Sequence, residues 1–211
     1  MERRKVSPKT TGRRLTSLRA FAKWAGWGSV LDDYDAPTAA RSMPHPLPEG
    51  MDGVRRLIVM AANDHQRCLV TLCGMVGCRV AEALEVRASD FNLQSHTLTI
   101  HGKGDKQRIV PVSNTAWAYL TEGIVRSFAT GTTLVDLQDR RARKVISILG
   151  VRAGLQRTIS SHDLRATFGT HVYDKTKDIR LVQELLGHAN SSTTEIYVGV
   201  TQSALREAVE L

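Results

Sequence analysis

The chain is short of negative charge: 21 acidic residues stand against 29 basic ones, a formal net charge of +8 with a pI near 9.8. An imbalance of this size points to a polyanionic partner, nucleic acid first. Cysteine is scarce too. Cys68, Cys73 and Cys78 recur every five residues inside an apolar segment, which matches neither the spacing of metal ligands nor a disulfide scaffold. They read as buried thiols of a reducing cytoplasm. No apolar run approaches the ~20 residues of a membrane span, and Met1 is followed by charges rather than by a signal-peptide core; a soluble intracellular protein is expected. A DxD-like carboxylate cluster, an HExxH helix and the GxxxxGK[ST] phosphate loop are all missing. Neither a metal nor another cofactor is therefore expected, and any nucleophile must come from the protein or from unassisted water.

The positive charge is concentrated at the start. Arg3, Arg4, Lys5, Lys9, Arg13, Arg14 and Arg19 face only Glu2 within the first nineteen residues. Residues 7–26 place Leu15, Leu18, Phe21, Ala22 and Ala25 at helical spacing, with Arg13, Arg14, Arg19 and Lys23 largely off that stripe. The segment reads as a basic amphipathic helix able to contact a nucleic-acid backbone, and Gly26 suits its end. Pro37, Pro44, Pro46 and Pro48 then punctuate a linker, with a domain boundary near residue 45.

Beyond the linker, Val54, Leu57, Ile58 and Ala61 suggest one helix. Leu69, Val70, Leu72, Cys73 and Val76 suggest a second, almost wholly apolar and central to the core. Gly77 breaks that run, and Arg79 stands between it and a third helix that carries Glu82. A cation placed against a core needs a counter-charge, which Glu82 or a bound anion would supply. Residues 97–112 read as two β-strands flanking a loop with Lys103 and Lys106 at its tip. Two further helices are expected at 114–128 and 138–155, the second bearing Arg140, Arg141, Arg143 and Lys144. Ser160 and Asp163 have capping-box spacing, so a helix begins near Ser161 and sets His162 and Arg165 three apart, where both can meet one ligand. A short helix over 178–186 ends at Gly187, directly before His188. Ser192 and Glu195 repeat the capping-box pattern ahead of Tyr197, and Ala204, Leu205, Ala208 and Val209 form a small C-terminal apolar stripe.

These residues fit chemistry at a phosphodiester. Attack at phosphorus adds negative charge to the non-bridging oxygens, which calls for fixed cations. Guanidinium groups, always charged and able to grip two oxygens, suit that task best; Arg79 and Arg165 are the candidates. Of the four tyrosines, Tyr34 falls in the linker and Tyr119 in an amphipathic helix, while Tyr173 is a weaker candidate than Tyr197. A phenol of pKa about 10 is only about one part in a thousand ionised at pH 7, so it needs a base or a cationic neighbourhood such as Arg165 offers. His162 fits the role of base. The departing 5′ oxygen needs a proton, for which Lys103 is placed, and His188 suits a hydrogen bond to the phosphate.

The segments GCRVAEAL, HGKGDKQRIVPV, SHDLRATF and LLGHANSSTTEIY, in this order and spacing, resemble the tyrosine recombinases, the phage integrase family. The resemblance runs from about residue 46 to Tyr197, and KTTGRRLTSLRAFAKWA looks like the last helix of that family's core-binding domain. It implies a mainly α fold with a small antiparallel β-hairpin or sheet: a tyrosine recombinase catalytic domain over 45–211, preceded by a reduced core-binding helix and linker over 1–44, as in a short integrase of the mycobacteriophage type. It implies site-specific cutting and rejoining of DNA through a 3′-phosphotyrosyl intermediate, as in viral genome integration, without ATP, metal or other cofactor. Tyr197 would be the nucleophile; Arg79, Lys103, His162, Arg165 and His188 would complete the catalytic set; Glu82 would position Arg79. Lys103 is preferred to Lys106 because GKG matches the family lysine, which leaves Lys106 with Arg13, Arg14, Arg19 and Lys23 as DNA contacts. The implied partners are double-stranded DNA core sites and further copies of the chain, monomeric when free and tetrameric on synapsed DNA, in the cytoplasm at the host nucleoid. The C-terminal stripe would pack on a neighbouring protomer.

Overall fold

The computed structural model describes residues 6–28, 30–35, 45–102, 107–187 and 202–210. The chain divides into two compact units, 1–43 and 44–211. The first contains helix α1 (Pro8–Trp24), which starts as its sequence dictates: the Ser7 hydroxyl accepts the Thr10 N–H, and Pro8 occupies the first turn, where no N–H is missed. Gly26, at φ +78°, follows its end. The expected apolar stripe is covered along one edge only. Leu15 and Ala22, seven positions apart, are buried, whereas Leu18 and Phe21, further round the helix, are each 53% exposed. Arg13, Arg14 and Lys23 are exposed. Arg19 is drawn back onto its own unit, its guanidinium donating to the carbonyls of Leu31, Asp32 and Tyr34.

The second unit is built around α3 (Asp64–Gly74), whose Asn63 cap accepts the Gln66 N–H. Every residue of α3 from Cys68 to Gly74 is buried. It packs against α2 (Gly50–Val59), α4 (Val80–Glu85), α5 (Asn114–Thr130), α6 (Asp139–Arg152) and α7 (Ser161–Thr176). The Cys68, Cys73 and Cys78 thiols belong to this core, and burial pushes Cys68 and Cys78 up to about 12 and raises Cys73 likewise.

Three strands, β1 (Phe91–Asn92), β2 (Thr97–His101) and β3 (Gln107–Pro111), form one antiparallel sheet in the order β1-β2-β3. The two longer strands lie where the Thr, Ile and Val content places them; β1, two residues long, carries no pattern of its own. Leu98 and Ile100 are buried with period two, and the register pairs Ile100 with Arg108 and His101 with Gln107. Residues 103–106, with Lys103 and Lys106, lie outside the described residues.

Helix α7 starts at the expected capping box, with the Ser160 hydroxyl accepting the Asp163 N–H and the Asp163 carboxylate accepting the Ser160 N–H. Helix α8 (Ile179–Leu186) buries Leu181, Val182, Leu185 and Leu186 and ends on Gly187 at φ +61°. Helix α9 (Gln202–Val209) corrects one expectation. Leu205, Ala208 and Val209 are buried in the core of the same chain, against β3, α7 and α8, rather than kept for a neighbour. Burying Leu205 and Val209 stabilises this docking by roughly 2 kcal/mol each. Polar contacts reinforce it: Arg206 donates to the Ser95 carbonyl and Lys175 to the Glu210 carbonyl. No helix among the described residues is long and apolar enough to cross a membrane.

Candidate active site

The site begins where α3 stops. Gly77, at φ +76°, turns the chain under Phe168, so closely that a Cβ there would sit 2.6 Å from a ring carbon. Two residues later Arg79 takes an extended conformation as the N-cap of α4. Glu82, in the first turn of α4, reaches back to accept the Arg79 backbone N–H at 2.7 Å and an Arg79 guanidinium N–H at 2.8 Å. Local chain geometry thus fixes Arg79 against its carboxylate.

Two more arginines converge on the same carboxylate. Arg108, from β3, donates one guanidinium N–H to each oxygen of Glu82, at 3.0 and 2.8 Å, and its Nε–H to the Leu185 carbonyl at 3.1 Å. Arg165, from α7, lies 3.9 Å from Glu82 and donates to the carbonyls of Gly77 and Leu186. Arg79 in turn donates to the Gly187 carbonyl at 3.1 Å. Three cations around one carboxylate leave two positive charges in excess, set against the C-terminal carbonyls of α8.

Burial alone would raise the Glu82 carboxyl, but hydrogen bonds from Arg108 and from the Arg79 backbone outweigh it and hold the group down at about 2. Burial, followed by the charge of Arg79, lowers the Arg165 guanidinium to about 10, so it remains a cation at neutral pH. Accessibility divides the pair: the Arg165 side chain is 7% exposed and that of Arg79 44%. Arg165 is a fixed charge beneath the site, whereas Arg79 is open to an incoming anion.

Arg79, Glu82 and Arg165 are therefore brought together. His162 sits on the first turn of α7, exposed, and makes none of these contacts, although it stands only three positions before the buried Arg165. Lys103, Lys106, His188 and Tyr197 lie outside the described residues, although Gly187, directly before His188, is tied to Arg79. Arg108 is the member of this cluster that the sequence reading passed over in favour of nearby lysines. Its signal was the period of β3, where Arg108 shares a strand face with the buried Val110 and pairs with the buried Ile100. An arginine on the inward face of a strand demands an acid.

Residues 52–203 match the phage integrase family. The chain belongs to the phage integrase family. A curated relative, tyrosine recombinase XerA of Pyrococcus horikoshii, is 32% identical over 207 residues, covering 93% of this chain and 71% of the relative. The integrase of mycobacterium phage Brujita shares the fold at a TM-score of 0.64 and 22% identity, covering 98% of this chain and 72% of that one. XerH site-specific recombinase, solved bound to its difH substrate in a pre-cleavage complex, shares it at 0.67 and 23% identity, covering 97% of this chain and 63% of that one. The segments that bear the arginine cluster, from α4 through α8, fall within the stretch that matches this integrase family.

Proposed function

We propose that the protein is a site-specific DNA recombinase that cuts and rejoins strands through a 3′-phosphotyrosyl intermediate, with Tyr197 as nucleophile and no need of ATP or metal. The observation that carries this reading is the buried Glu82 carboxylate holding Arg79 and gathering Arg165 beside it, an excess of fixed positive charge in a chain of the phage integrase family. The non-bridging oxygens of the scissile phosphate lie against Arg79, with Arg165 fixed below. As attack begins, His162 takes the phenolic proton of Tyr197, the Tyr197 oxygen bonds to phosphorus, and the bond to the 5′ oxygen breaks. That oxygen receives a proton from Lys103, with Lys106 the alternative donor, while His188 donates a hydrogen bond to the phosphate. In the second half-reaction a 5′ hydroxyl from the partner strand gives its proton back to the lysine and attacks phosphorus, and Tyr197 leaves with the proton that His162 returns. One phosphodiester replaces another, so the exchange requires no external energy source.

Residues 1–44 form a core-binding element and 45–211 the catalytic domain. Arg13, Arg14 and Lys23 on the exposed face of α1 supply contacts to the DNA backbone; Arg19 assists while bracing its loop. The chain is a monomer when free and a tetramer on two synapsed core sites, and it works in the host cytoplasm at the nucleoid. Sedimentation of the free protein as a stable tetramer contradicts that assembly.

The test uses a duplex that the protein itself selects from a random-sequence pool, nicked near the selected site so that a cleaved strand diffuses away. Incubation in EDTA is expected to yield a covalent protein–DNA adduct, lost in Tyr197→Phe. A bound but uncleaved duplex favours a regulator that only binds DNA, and chelator-sensitive cleavage without an adduct favours a metal-dependent nuclease.

A further inference from the structure

Arg108 binds differently from the two arginines assigned to the phosphate. Its guanidinium faces Glu82 fork to fork, one N–H on each carboxylate oxygen, and its third contact is the Leu185 carbonyl near the end of α8. Its side chain is 15% exposed against 44% for Arg79, and three of its five N–H donors, one on each guanidinium nitrogen, are engaged within the protein. These contacts join three parts of the chain. Arg108 lies in β3, on one side of the 103–106 segment; Glu82 lies on α4 and holds Arg79; Leu185 lies on α8, three residues before His188. Gly187 packs on the same side chain, where a Cβ would come within 2.9 Å of the Arg108 Cδ.

We propose that Arg108 is a positioning residue for strand cleavage: it locks the hairpin strand, the carboxylate behind Arg79 and the approach to His188 into one arrangement without touching DNA. The assignment rests on the recombinase reading above. A lysine cannot replace it, because one ammonium has no planar fork with which to match both carboxylate oxygens and reach a third acceptor.

The test compares Arg108→Lys and Arg108→Gln with the wild-type chain on the self-selected, nicked duplex in EDTA, at saturating DNA. Both variants are expected to form the covalent adduct roughly 100-fold more slowly, the scale set by a small misplacement of reacting groups, while affinity for the same duplex, measured in a Tyr197→Phe background, stays unchanged. The pH profile, taken over the range in which circular dichroism shows each variant folded, supplies a readout that loss of folded protein does not move. The groups facing Glu82 are Arg79, Arg108 and Arg165, with the Cys73 and Cys78 thiols behind. Without the Arg108 charge, Glu82 protonates at higher pH, so the Arg108→Gln rate gains an acidic limb that the wild-type lacks. Should Arg108→Gln fail to fold, Arg108→Lys decides by rate alone. Variant rates equal to wild-type overturn the proposal, as does a loss of affinity that accounts for the whole loss of rate, since Arg108 then contacts DNA. If the wild-type protein forms no adduct, the recombinase reading falls and this assignment with it.

Discussion

Arg19 in the N-terminal unit and Arg165 in the C-terminal unit do the same thing by different rules. Each guanidinium donates to main-chain carbonyls distant in sequence, Arg19 to Leu31, Asp32 and Tyr34, Arg165 to Gly77 and Leu186. Arg19 is exposed and Arg165 is 6% exposed. In water a lost donor is replaced by solvent and the exchange is nearly neutral, whereas under the core a missing partner leaves charge or lone pairs unsatisfied. The exposed clasp only tidies a loop. The buried cluster fixes geometry, and it does so through Glu82, on which three arginines depend.

The largest effect is expected where that dependence is broken. Glu82→Ala strands three guanidiniums without a counter-charge and should cost about 3–5 kcal/mol in urea-induced unfolding of the full chain; a loss under about 1 kcal/mol would erase the contrast between the two regions. A smaller effect follows from acid. The folded Glu82 carboxyl sits at about 2 against an ordinary 4.5, so its stabilisation is complete above pH 4.5 and disappears as pH falls towards 2. Thermal melts over that range should show a downward slope that Glu82→Gln flattens. Smaller again is Gly187→Ala, which sets a Cβ at φ +61° and 2.9 Å from the Arg108 Cδ; it should destabilise the chain by roughly 1–2 kcal/mol and slow adduct formation. Smallest is Arg19→Ala, whose exposed bonds should be worth under about 1 kcal/mol. If its unfolding midpoint fell as far as that of Glu82→Ala, exposure would not be the governing variable.

What the sequence made legible is what short-range patterns encode. The capping box at Ser160, the glycine stop at Gly187, the apolar run of α3 and the strand content of residues 97–112 all became the elements they implied, and with them came Arg79, Glu82 and Arg165. Arg108 was missed because its partners lie 26 and 77 residues away, a relation with no local signature beyond one strand position. The stripe on α1 misled in the opposite sense: periodicity marks which residues share a face, and only tertiary packing decides whether that face is covered. For the C-terminal stripe the same rule worked the other way, since β3, α7 and α8 of this chain supply the cover.

The most direct measurement maps the DNA attachment point. The adduct formed on the nicked duplex is digested with nuclease and trypsin, and the peptide that retains the nucleotide is identified by mass. Our account predicts the peptide from Leu181 to Arg206, whose one tyrosine is Tyr197. A nucleotide on the peptide that carries Tyr173, or on no tyrosine at all, contradicts it.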